Sequence, residues 1–274
     1  MNILRYGPNK QFVKLSVTLS WPLMKAAKIL SNYPVLKWAI NPFFAYPFNE
    51  ITSIPINVAV PAPDSVAIPN RIIEKLVLQA ADIFILDECI CRGLLRCKNH
   101  SLNIGCMALG KAADRMHPSH GHHATKEEAI AHIRKAAASG LVANVAHTWI
   151  DPVAFGLTRF NHLMFICFCD DCCCLYRTHM KNRGPNLDKA CKSLPGLYIV
   201  RDETKCNACM VCADNCFVAA VQIVNDRPVI TEACKGCGRC VANCPTGALS
   251  ISVANEDEIF QRMMERINQV ADIT

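Results

Sequence analysis

The sequence lacks several features that would place the chain in a common functional class. No uninterrupted apolar run reaches the ~18 residues of a transmembrane helix, because lysines and prolines interrupt the most apolar region, residues 13–48. The first residues, MNILRYGPNKQF, have no charged start followed by an apolar core, so we expect no secretory signal. No nucleotide-binding fingerprint, helix-turn-helix or arginine–glycine pattern is present. We therefore expect neither a membrane-spanning nor a nucleic-acid-binding protein.

Cysteine is the residue that the sequence has in excess, with 18 in 274 residues. In a small secreted protein this number would indicate a disulfide framework. Here the cysteines stand at tight, regular spacings, which favour metal binding over long-range bridges. We therefore predict a protein of a reducing, cytoplasmic compartment whose thiolates bind metal.

The C-terminal part of the chain contains an internal repeat. CNACMVCADNC (206–216) and CKGCGRCVANC (234–244) share the spacing C-x2-C-x2-C-x3-C, and equivalent positions are 28 residues apart. In a [4Fe–4S] site of this spacing, three thiolates come from one compact turn and the fourth ligates the other cluster. The repeat predicts one cluster held by Cys206, Cys209, Cys212 and Cys244, and a second held by Cys234, Cys237, Cys240 and Cys216.

This repeat resembles the bacterial-type two-cluster ferredoxin fold over residues 197–253. The resemblance implies a ferredoxin-like βαβ pseudo-repeat that carries electrons one at a time. The second motif ends in the usual Cys244–Pro245, whereas the first has Phe217 in place of proline. Because proline fixes the backbone after the ligand, we expect the turn after Cys216 to differ. Zinc sites, the alternative, usually separate their C-x2-C pairs by long gaps.

Further cysteines precede this module in two groups, CICRGLLRCKNHSLNIGC (89–106) and CFCDDCCC (167–174). Two predicted strands, residues 82–92 and 162–169, each run into a Cys-x-Cys pair, whose side chains share one face of a strand. In open α/β sheets, sites gather at the carboxyl ends of strands. We therefore predict one shared cysteine-lined crevice, with metal ligands among Cys89, Cys91, Cys97, Cys106, Cys167, Cys169, Cys172, Cys173 and Cys174.

These thiols can hold at most two clusters of four thiolates each. One arrangement takes the four cysteines of 89–106 for one cluster and four of the five in 167–174 for another; the alternative shares ligands across the crevice around one cluster of unusual shape. Zinc, thiol–disulfide chemistry and inert thiols are the other interpretations. Because adjacent side chains diverge in an extended chain, we expect a surplus thiol among Cys172, Cys173 and Cys174.

The cysteine pattern with its fused ferredoxin module also resembles an uncharacterised group of iron–sulfur proteins from anaerobes, over residues 70–250. That resemblance implies redox chemistry and no particular substrate.

Charged residues stand beside both cysteine groups. Arg92 and Arg177 would stabilise thiolates and raise a cluster's potential, unless they are ordinary solvated arginines. Asp170 and Asp171 are more typical of turn formers than of proton donors. The segment HPSHGHH, with His117, His120, His122 and His123, could bind metal, but its glycine and prolines predict a solvated loop.

The element pattern predicts an α+β protein. Helices are expected over 71–81 and 125–140, the second with a Thr125–Glu128 capping box. Strands are expected over 51–63, 82–92, 141–148 and 162–169. We divide the chain into an apolar, amphipathic segment (1–65), a cysteine-rich α/β domain (66–196), the ferredoxin domain (197–253) and a C-terminal helix (254–274).

These features predict an iron–sulfur electron-transfer protein that works with a redox partner or within a larger complex. Electrons would pass between two [4Fe–4S] clusters and one or two further clusters in the N-terminal domain. One alternative is an oxidoreductase whose N-terminal cluster site binds and reduces a substrate; another is an iron–sulfur sensor or assembly factor. The sequence does not decide whether the protein is an enzyme.

The positive charge of the chain agrees with bound clusters rather than with nucleic acid. The formal net charge of +6 counts every cysteine as neutral, whereas a cube with four thiolates adds roughly −2 in its oxidised form. Residues 13–48 combine apolar residues with Trp21, Lys25 and Lys28. We expect this segment to pack on the protein or a partner subunit, or to lie on a membrane surface.

Overall fold

The computed structural model describes residues 5–44, 46–58, 68–170, 172–174, 191–253 and 255–274. Helices and strands both occur along the chain, which confirms the α+β prediction. The helices are α1 (Lys10–Leu30), α2 (Pro34–Ile40), α3 (Ile68–Gln79), α4 (Ile90–Leu94), α5 (Lys126–Ala138), α6 (Ile150–Phe155), α7 (Val211–Asp214), α8 (Arg239–Ala242) and α9 (Glu256–Asn268). The strands are β1 (Asn49–Ile54), β2 (Ile83–Leu86), β3 (Met107–Leu109), β4 (Gly121–His123), β5 (Val142–Thr148), β6 (Met164–Cys169), β7 (Cys191–Ser193), β8 (Leu197–Arg201), β9 (Val221–Val224), β10 (Arg227–Ile230) and β11 (Leu249–Val253).

Seven of these strands form one sheet, in the order β4-β2-β3-β6-β5-β1-β7. Neighbouring strands are antiparallel, except for the parallel pair β1 and β7. We call this sheet and the helices on it the N-terminal layer. Its strand pairing is mainly antiparallel, whereas the crevice prediction used a rule for open α/β sheets, whose strands are mostly parallel. Among the described helices, none is both long enough and apolar enough to span a bilayer.

Two predicted strands end earlier than expected. The strand predicted over 51–63 ends at Ile54, because Pro55 has no N–H to donate to the ladder; its residues 59–63 lie outside the described part of the chain. The strand predicted over 82–92 ends at Leu86, and Cys89 then occupies the N-cap position of α4. Cys89 and Cys91 are therefore at the start of a helix, not on one face of a strand.

The other predicted elements lie close to their expected positions. The helix expected over 71–81 is α3, and the strands expected over 141–148 and 162–169 are β5 and β6. Helix α5 begins with the expected capping box, in which Thr125 accepts from the Glu128 N–H while the Glu128 carboxylate accepts from the Thr125 N–H. Gly140 follows it with a φ of 72°, as a helix-ending glycine requires.

One face of the sheet is covered by α3, α5 and α9, which share a single hydrophobic core with it. Helix α9, at the end of the chain, lies beside α3, and Glu256 forms ion pairs of 2.7 Å with both Arg71 and Lys75. The Ala81 N–H donates to the carbonyl of Ile273 at 2.8 Å. The C-terminal helix thus belongs to the core of the N-terminal layer, although residues 197–253, called the ferredoxin module after the predicted domain, precede it in the chain.

The opposite face of the sheet carries two different neighbours. Helices α1 and α6 cover the β2–β3–β6 side through buried Val13, Phe155 and Phe165. The ferredoxin module covers the β1–β7 side, where its Phe217 packs with Ile51. The two neighbours therefore lie side by side on one face.

Candidate metal centres

The ferredoxin module is built from two interlocked repeats. The first contains β8, α7 and β9, and the second contains β10, α8 and β11. The first strand of each repeat pairs with the last strand of the other, since β8 pairs with β11 and β9 with β10. Each repeat therefore completes its two-stranded sheets only through the other, as the internal symmetry of the sequence suggests.

The backbone conformation follows the same repeat. Three positions in each half have a positive φ, and equivalent positions are 28 residues apart. The second half places glycine at each of them, whereas the first half uses larger residues, at a cost of about 1–2 kcal/mol each. The pairs are Ala208 (56°) with Gly236 (61°), Met210 (63°) with Gly238 (73°), and Ala219 (53°) with Gly247 (63°).

Contact with the N-terminal layer explains why the second half has glycine at position 238. A Cβ added to Gly238 would lie 2.7 Å from a methyl group of Val58 and 3.0 Å from Cβ of Pro55. The second repeat therefore faces the N-terminal layer. Contact with the sheet also explains Phe217, the departure from the usual proline, because its buried ring fills the apolar junction with Ile51 and Ala146.

Four cysteines of the module surround one cavity. Cys216 of the first repeat joins Cys234, Cys237 and Cys240 of the second there. Burial raises the pKa of the Cys234 thiol, and raises that of Cys240 to about 12. Buried thiols of this kind become thiolates when a metal binds them. The donor set and its reciprocal origin fit the four ligands of a [4Fe–4S] cluster.

The first three-cysteine turn of the module lies farther towards solvent, with Cys209 exposed. Burial is the main factor that raises the pKa of Cys212, and the charges of Cys209 and Cys206 raise it further. Burial opposes ionisation of Cys244, but hydrogen bonds from Thr246 and from nearby backbone N–H groups lower its pKa below the usual value.

In the N-terminal layer, three distant chain segments bring cysteines to one edge of the sheet. Strands β2 and β6 are both antiparallel to β3, so their carboxyl ends lie at the edge where β3 begins. Cys89 and Cys91 follow β2, and Cys106 immediately precedes β3. The expected crevice therefore exists, but antiparallel pairing across a shared central strand creates it.

Six cysteines surround the cavity at this edge. Sγ of Cys174 lies 3.0 Å from Sγ of Cys169, and Cys106 shares hydrogen bonds with both Cys89 and Cys167. Hydrogen bonds from Cys106 and Cys91, together with the charge of Arg92, lower the pKa of Cys89 to about 3. The six are Cys89, Cys91, Cys106, Cys167, Cys169 and Cys174.

Arg92 is part of this site and is not a solvated arginine. Its side chain is 1% exposed and donates to the carbonyls of Phe168 at 2.7 Å, Ser101 at 3.0 Å and Ile104. It also lies 3.7 Å from the buried carboxylate of Asp170. A fixed positive charge beside buried thiols favours thiolates. Arg177 and Asp171 lie outside the described residues.

The remaining three predicted ligands form a second, smaller set. Cys97, Cys172 and Cys173 lie with Asp170 so that one ligand atom from each is within 4.8 Å of all the others. Sγ of Cys172 is 3.6 Å from Sγ of Cys97 and 3.1 Å from Sγ of Cys173. The structure thus separates Cys97 from the cysteines with which the first arrangement grouped it.

A turn at Asp170 explains why the cysteine triplet divides between the two sites. Oδ1 of Asp170 accepts the N–H groups of Cys172 at 2.9 Å and Cys173 at 2.6 Å, as expected of a turn former. The turn brings the sulfur atoms of these neighbours together instead of letting them diverge. Cys174 then lies in the six-cysteine cavity, where six thiols exceed the four that one cube needs, so a surplus thiol stays a prediction.

The distances between sulfur atoms indicate that the two sites bind different kinds of metal group. Zn–S bonds of 2.3 Å in a tetrahedron place sulfur atoms about 3.8 Å apart, and the small set is compact enough for one such ion. Among the described residues, neither the six-cysteine cavity nor the ferredoxin module contains three ligand atoms all within 4.8 Å of one another. Their thiols surround a wider space, which fits a cluster better than a single ion.

A buried row of side chains that the sequence prediction did not include crosses the sheet between the two cysteine regions. On β1, Ser53 donates to Oδ1 of Asn144 on β5 at 2.7 Å, and its oxygen lies 3.8 Å from Sγ of Cys191 on β7. Asn144 is the cross-strand partner of Cys167, and Cys191 packs beside Phe217. A polar Asn in the apolar strand LVANVAHT is the sequence signal that could have indicated this row.

The Asn144 amide supplies a further test of the six-cysteine site. Its Nδ2 is buried and has no hydrogen-bond partner among the described atoms. A buried donor without a partner costs about 1–3 kcal/mol, and Asn144 lies on the same sheet face as its partner Cys167. A thiolate of a bound cluster would accept this N–H, so the residues fit such a group.

The four histidines of HPSHGHH do not form one site. His120 is buried and donates to the Pro8 carbonyl at 3.0 Å, and His117 accepts the Ser119 N–H. His122 and His123 are on β4, not in a loop, and lie near Asp87 and Asp82.

Comparison with known families agrees with the C-terminal repeat. A model of the 4Fe-4S binding domain matches residues 227–250, a range that contains Cys234, Cys237, Cys240 and Cys244 and begins after the first repeat. No curated protein matches the chain. The chain thus contains a 4Fe–4S binding domain and is an iron–sulfur protein.

Proposed function

We propose that the protein is an electron-transfer protein with two [4Fe–4S] clusters in residues 197–253 and a further iron–sulfur cluster in the six-cysteine cavity. The first ferredoxin cluster would be held by Cys206, Cys209, Cys212 and Cys244, and the second by Cys216, Cys234, Cys237 and Cys240. Such clusters supply one-electron transfer when bound. The exposure of Cys209 favours the first cluster site as the place where a redox partner docks.

The buried row of Cys191, Ser53 and Asn144 is the observation that carries this proposal. It begins beside Phe217 and Cys237 in the module and ends at the strand partner of Cys167. All three row residues are at most 2% exposed. Buried, hydrogen-bonded side chains therefore lie between the two thiol sets, as a relay between them would need.

For the small set of Cys97, Cys172, Cys173 and Asp170 we propose a single metal ion, with zinc as the first candidate. Zinc binds thiolate sulfur and carboxylate oxygen, and its structural sites take four such ligands in a tetrahedron. Burial opposes ionisation of Cys97, but hydrogen bonds from the N–H groups of Asn99 and His100 lower its pKa. The carboxylate Oδ2 of Asp170 is buried and accepts no hydrogen bond among the described atoms.

A potentiometric titration of the holoprotein, monitored by electron paramagnetic resonance (EPR), tests whether the buried row reaches the N-terminal cluster. Asn144→Leu removes the N–H that would reach the Cys167 thiolate, and hydrogen bonds to sulfur raise cluster potentials. We expect the variant to lower the potential of the N-terminal cluster by tens of millivolts and to leave both module clusters unchanged. The matched control is Thr52→Val, a buried polar residue on the other face of β1. Equal potentials in Asn144→Leu and the wild type would contradict this role.

We also propose that the outer face of α1 and α2 contacts an anionic membrane surface. Leu23 is 72% and Trp38 85% exposed, and the exposed side of α1 carries further leucines. The first acidic residue of the whole chain is Glu50, whereas this segment contains several lysines. Basic helices with an apolar face bind anionic lipid. The inner face of α1 packs on the protein, so the expectation that the segment packs on its own chain accounts for one face only.

Cosedimentation of the full chain with vesicles tests the membrane contact. We expect binding to phosphatidylglycerol vesicles, little binding to phosphatidylcholine vesicles, and a loss of at least about tenfold in Leu23→Glu. Leu78→Glu, at an exposed leucine on α3, is the control. Absence of vesicle binding, together with self-association that Leu23→Glu abolishes, would overturn the membrane proposal and identify the face as a contact between copies.

A further inference from the structure

A chamber lies between α1 and α6, directly beside the six-cysteine cavity. Its volume is about 90 Å³. Three cysteines, Cys91, Cys106 and Cys167, line both the chamber and the six-cysteine cavity. A molecule in the chamber would therefore touch residues that hold the proposed N-terminal cluster.

The walls of the chamber are apolar side chains from both helices and from the sheet. Helix α1 contributes Val17, Trp21 and Met24, and α6 contributes Ala154 and Phe155. Enclosed apolar cavities take up apolar molecules such as benzene or xenon, and the chamber presents walls of the same chemistry. The walls therefore favour an apolar occupant over water or a charged metabolite.

One carboxylate stands at the wall of the chamber. Asp151 lies at the start of α6, and its Oδ2 accepts the hydroxyl of Thr148 at 2.7 Å. Few polar groups in an otherwise apolar pocket are typical of small-molecule sites, where they fix the orientation of the ligand. An anionic ligand would meet the like charge of Asp151, and a cationic one would lose its hydration among apolar walls, so an uncharged ligand is favoured.

We infer that this chamber binds a small, uncharged, largely apolar molecule, about the size of one aromatic ring, against the six-cysteine site. The inference rests on the proposed function for the nature of that site, and it gives the N-terminal region a ligand class. A relay alone needs no such chamber. A ligand-binding site beside a redox centre is what a substrate or an effector of that centre requires.

Fluorine NMR of fluorobenzene, added to anaerobically prepared and reduced holoprotein, tests this inference. A paramagnetic centre broadens the resonance of a nucleus held close to it, so the probe reports both binding and proximity. Ala154→Phe fills the chamber, whereas Ala26→Phe places the same ring on the exposed side of α1. Circular dichroism and the iron content verify that each variant is folded, and Val17→Phe is a second filling variant.

We expect saturable broadening in the wild type and in Ala26→Phe, and an apparent affinity at least about tenfold weaker in Ala154→Phe and Val17→Phe. Broadening that does not saturate, or that persists in both filling variants, would overturn the inference. A third outcome is saturable binding that both filling variants lose but that causes no paramagnetic broadening. This outcome would support the chamber and contradict the cluster beside it. Protein that contains more than the roughly eight iron atoms of the module holds a further cluster. If such protein does not bind fluorobenzene, the chamber is contradicted and the proposed function remains intact.

Discussion

The two cysteine regions of this protein are encoded in different ways. In the ferredoxin module, all eight proposed ligands lie within residues 206–244, and the roles proposed for them follow from local spacing. In the N-terminal layer, the six-cysteine cavity draws on three segments spread over residues 89–174, which meet only because β2 and β6 flank β3. Spacing is therefore a sufficient guide to the first region, whereas sheet topology decides the second.

The regions also differ in the groups that support their thiols. The module relies on backbone conformation, with left-handed residues at equivalent positions of its two halves. The N-terminal layer relies on buried charged and polar side chains, namely Arg92, Asp170 and Asn144. Substitutions should therefore affect the module through backbone strain and the N-terminal layer through unpaired charge.

The largest expected effect comes from removing one proposed ligand from the N-terminal region. Cys106 lies between Cys89 and Cys167, so Cys106→Ser should lower iron and acid-labile sulfide by about four atoms each while the module keeps its share. The control is Cys191→Ser, at a buried cysteine that does not line the six-cysteine cavity. Unchanged iron in Cys106→Ser, measured colorimetrically on anaerobically prepared protein, would show that Cys106 is not a required ligand of a cluster in this region.

Neutralising Arg92 should have the next largest effect. Arg92→Met removes the positive charge beside Asp170 and the donors to two buried carbonyls, which costs about 3–5 kcal/mol for a broken buried pair. Chemical denaturation of the holoprotein measures this loss. Arg262→Met, at an exposed arginine that forms an i,i+4 ion pair with Glu258, should cost about 0.5 kcal/mol or less. A loss in Arg92→Met no larger than in Arg262→Met would contradict the role of the buried charge.

A pair of equivalent substitutions tests the asymmetry within the module. Gly238→Ala meets both a positive φ and the close methyl group of Val58, and should destabilise the protein by about 2–4 kcal/mol. At the equivalent position, Met210→Gly relieves the left-handed strain and should stabilise it by up to about 1 kcal/mol. Thermal unfolding compares both with the wild type, and effects of the same sign would contradict the asymmetric docking.

The smallest expected effect is a dependence of stability on pH that originates in the N-terminal layer. Desolvation by burial lowers the pKa of His120, His132 and His147 in the folded protein. The unfolded chain therefore takes up protons first, near pH 6.5, so stability is full above that pH and falls as the pH drops through the lower folded-state values. Residues 197–274 contain no histidine. Thermal unfolding in this range should show a smaller slope in His132→Gln; an unchanged slope would exclude His132 as a source.

Much of the fold was predictable where the signal is local. The capping box at Thr125, the strand that ends in Cys167 and Cys169, and the 28-residue repeat all depend on residues close together in sequence. The strand predicted through Cys89 and Cys91 was wrong, because the chain leaves β2 at Leu86 and starts a short helix. Periodicity cannot show such a break inside an apolar run that continues into cysteines.

The site was less predictable because its partners are distant in sequence. No local pattern separates Cys97 from its neighbours or pairs Cys174 with Cys169, since a turn at Asp170 decides both. Arg92 is buried only because the carbonyls of Phe168 and Ile104 approach it from other segments. Cys191 stands alone in the sequence, and its place beside Ser53 depends on the parallel pairing of β7 with β1.

The most direct test of a cluster in the six-cysteine cavity is the iron and acid-labile sulfide content of the whole chain, purified without oxygen. Two module clusters and one further cube should give about twelve atoms of each. The small set should add one metal ion without sulfide. About eight iron and eight sulfide per chain would show that the N-terminal thiols hold no cluster and would contradict the proposed relay.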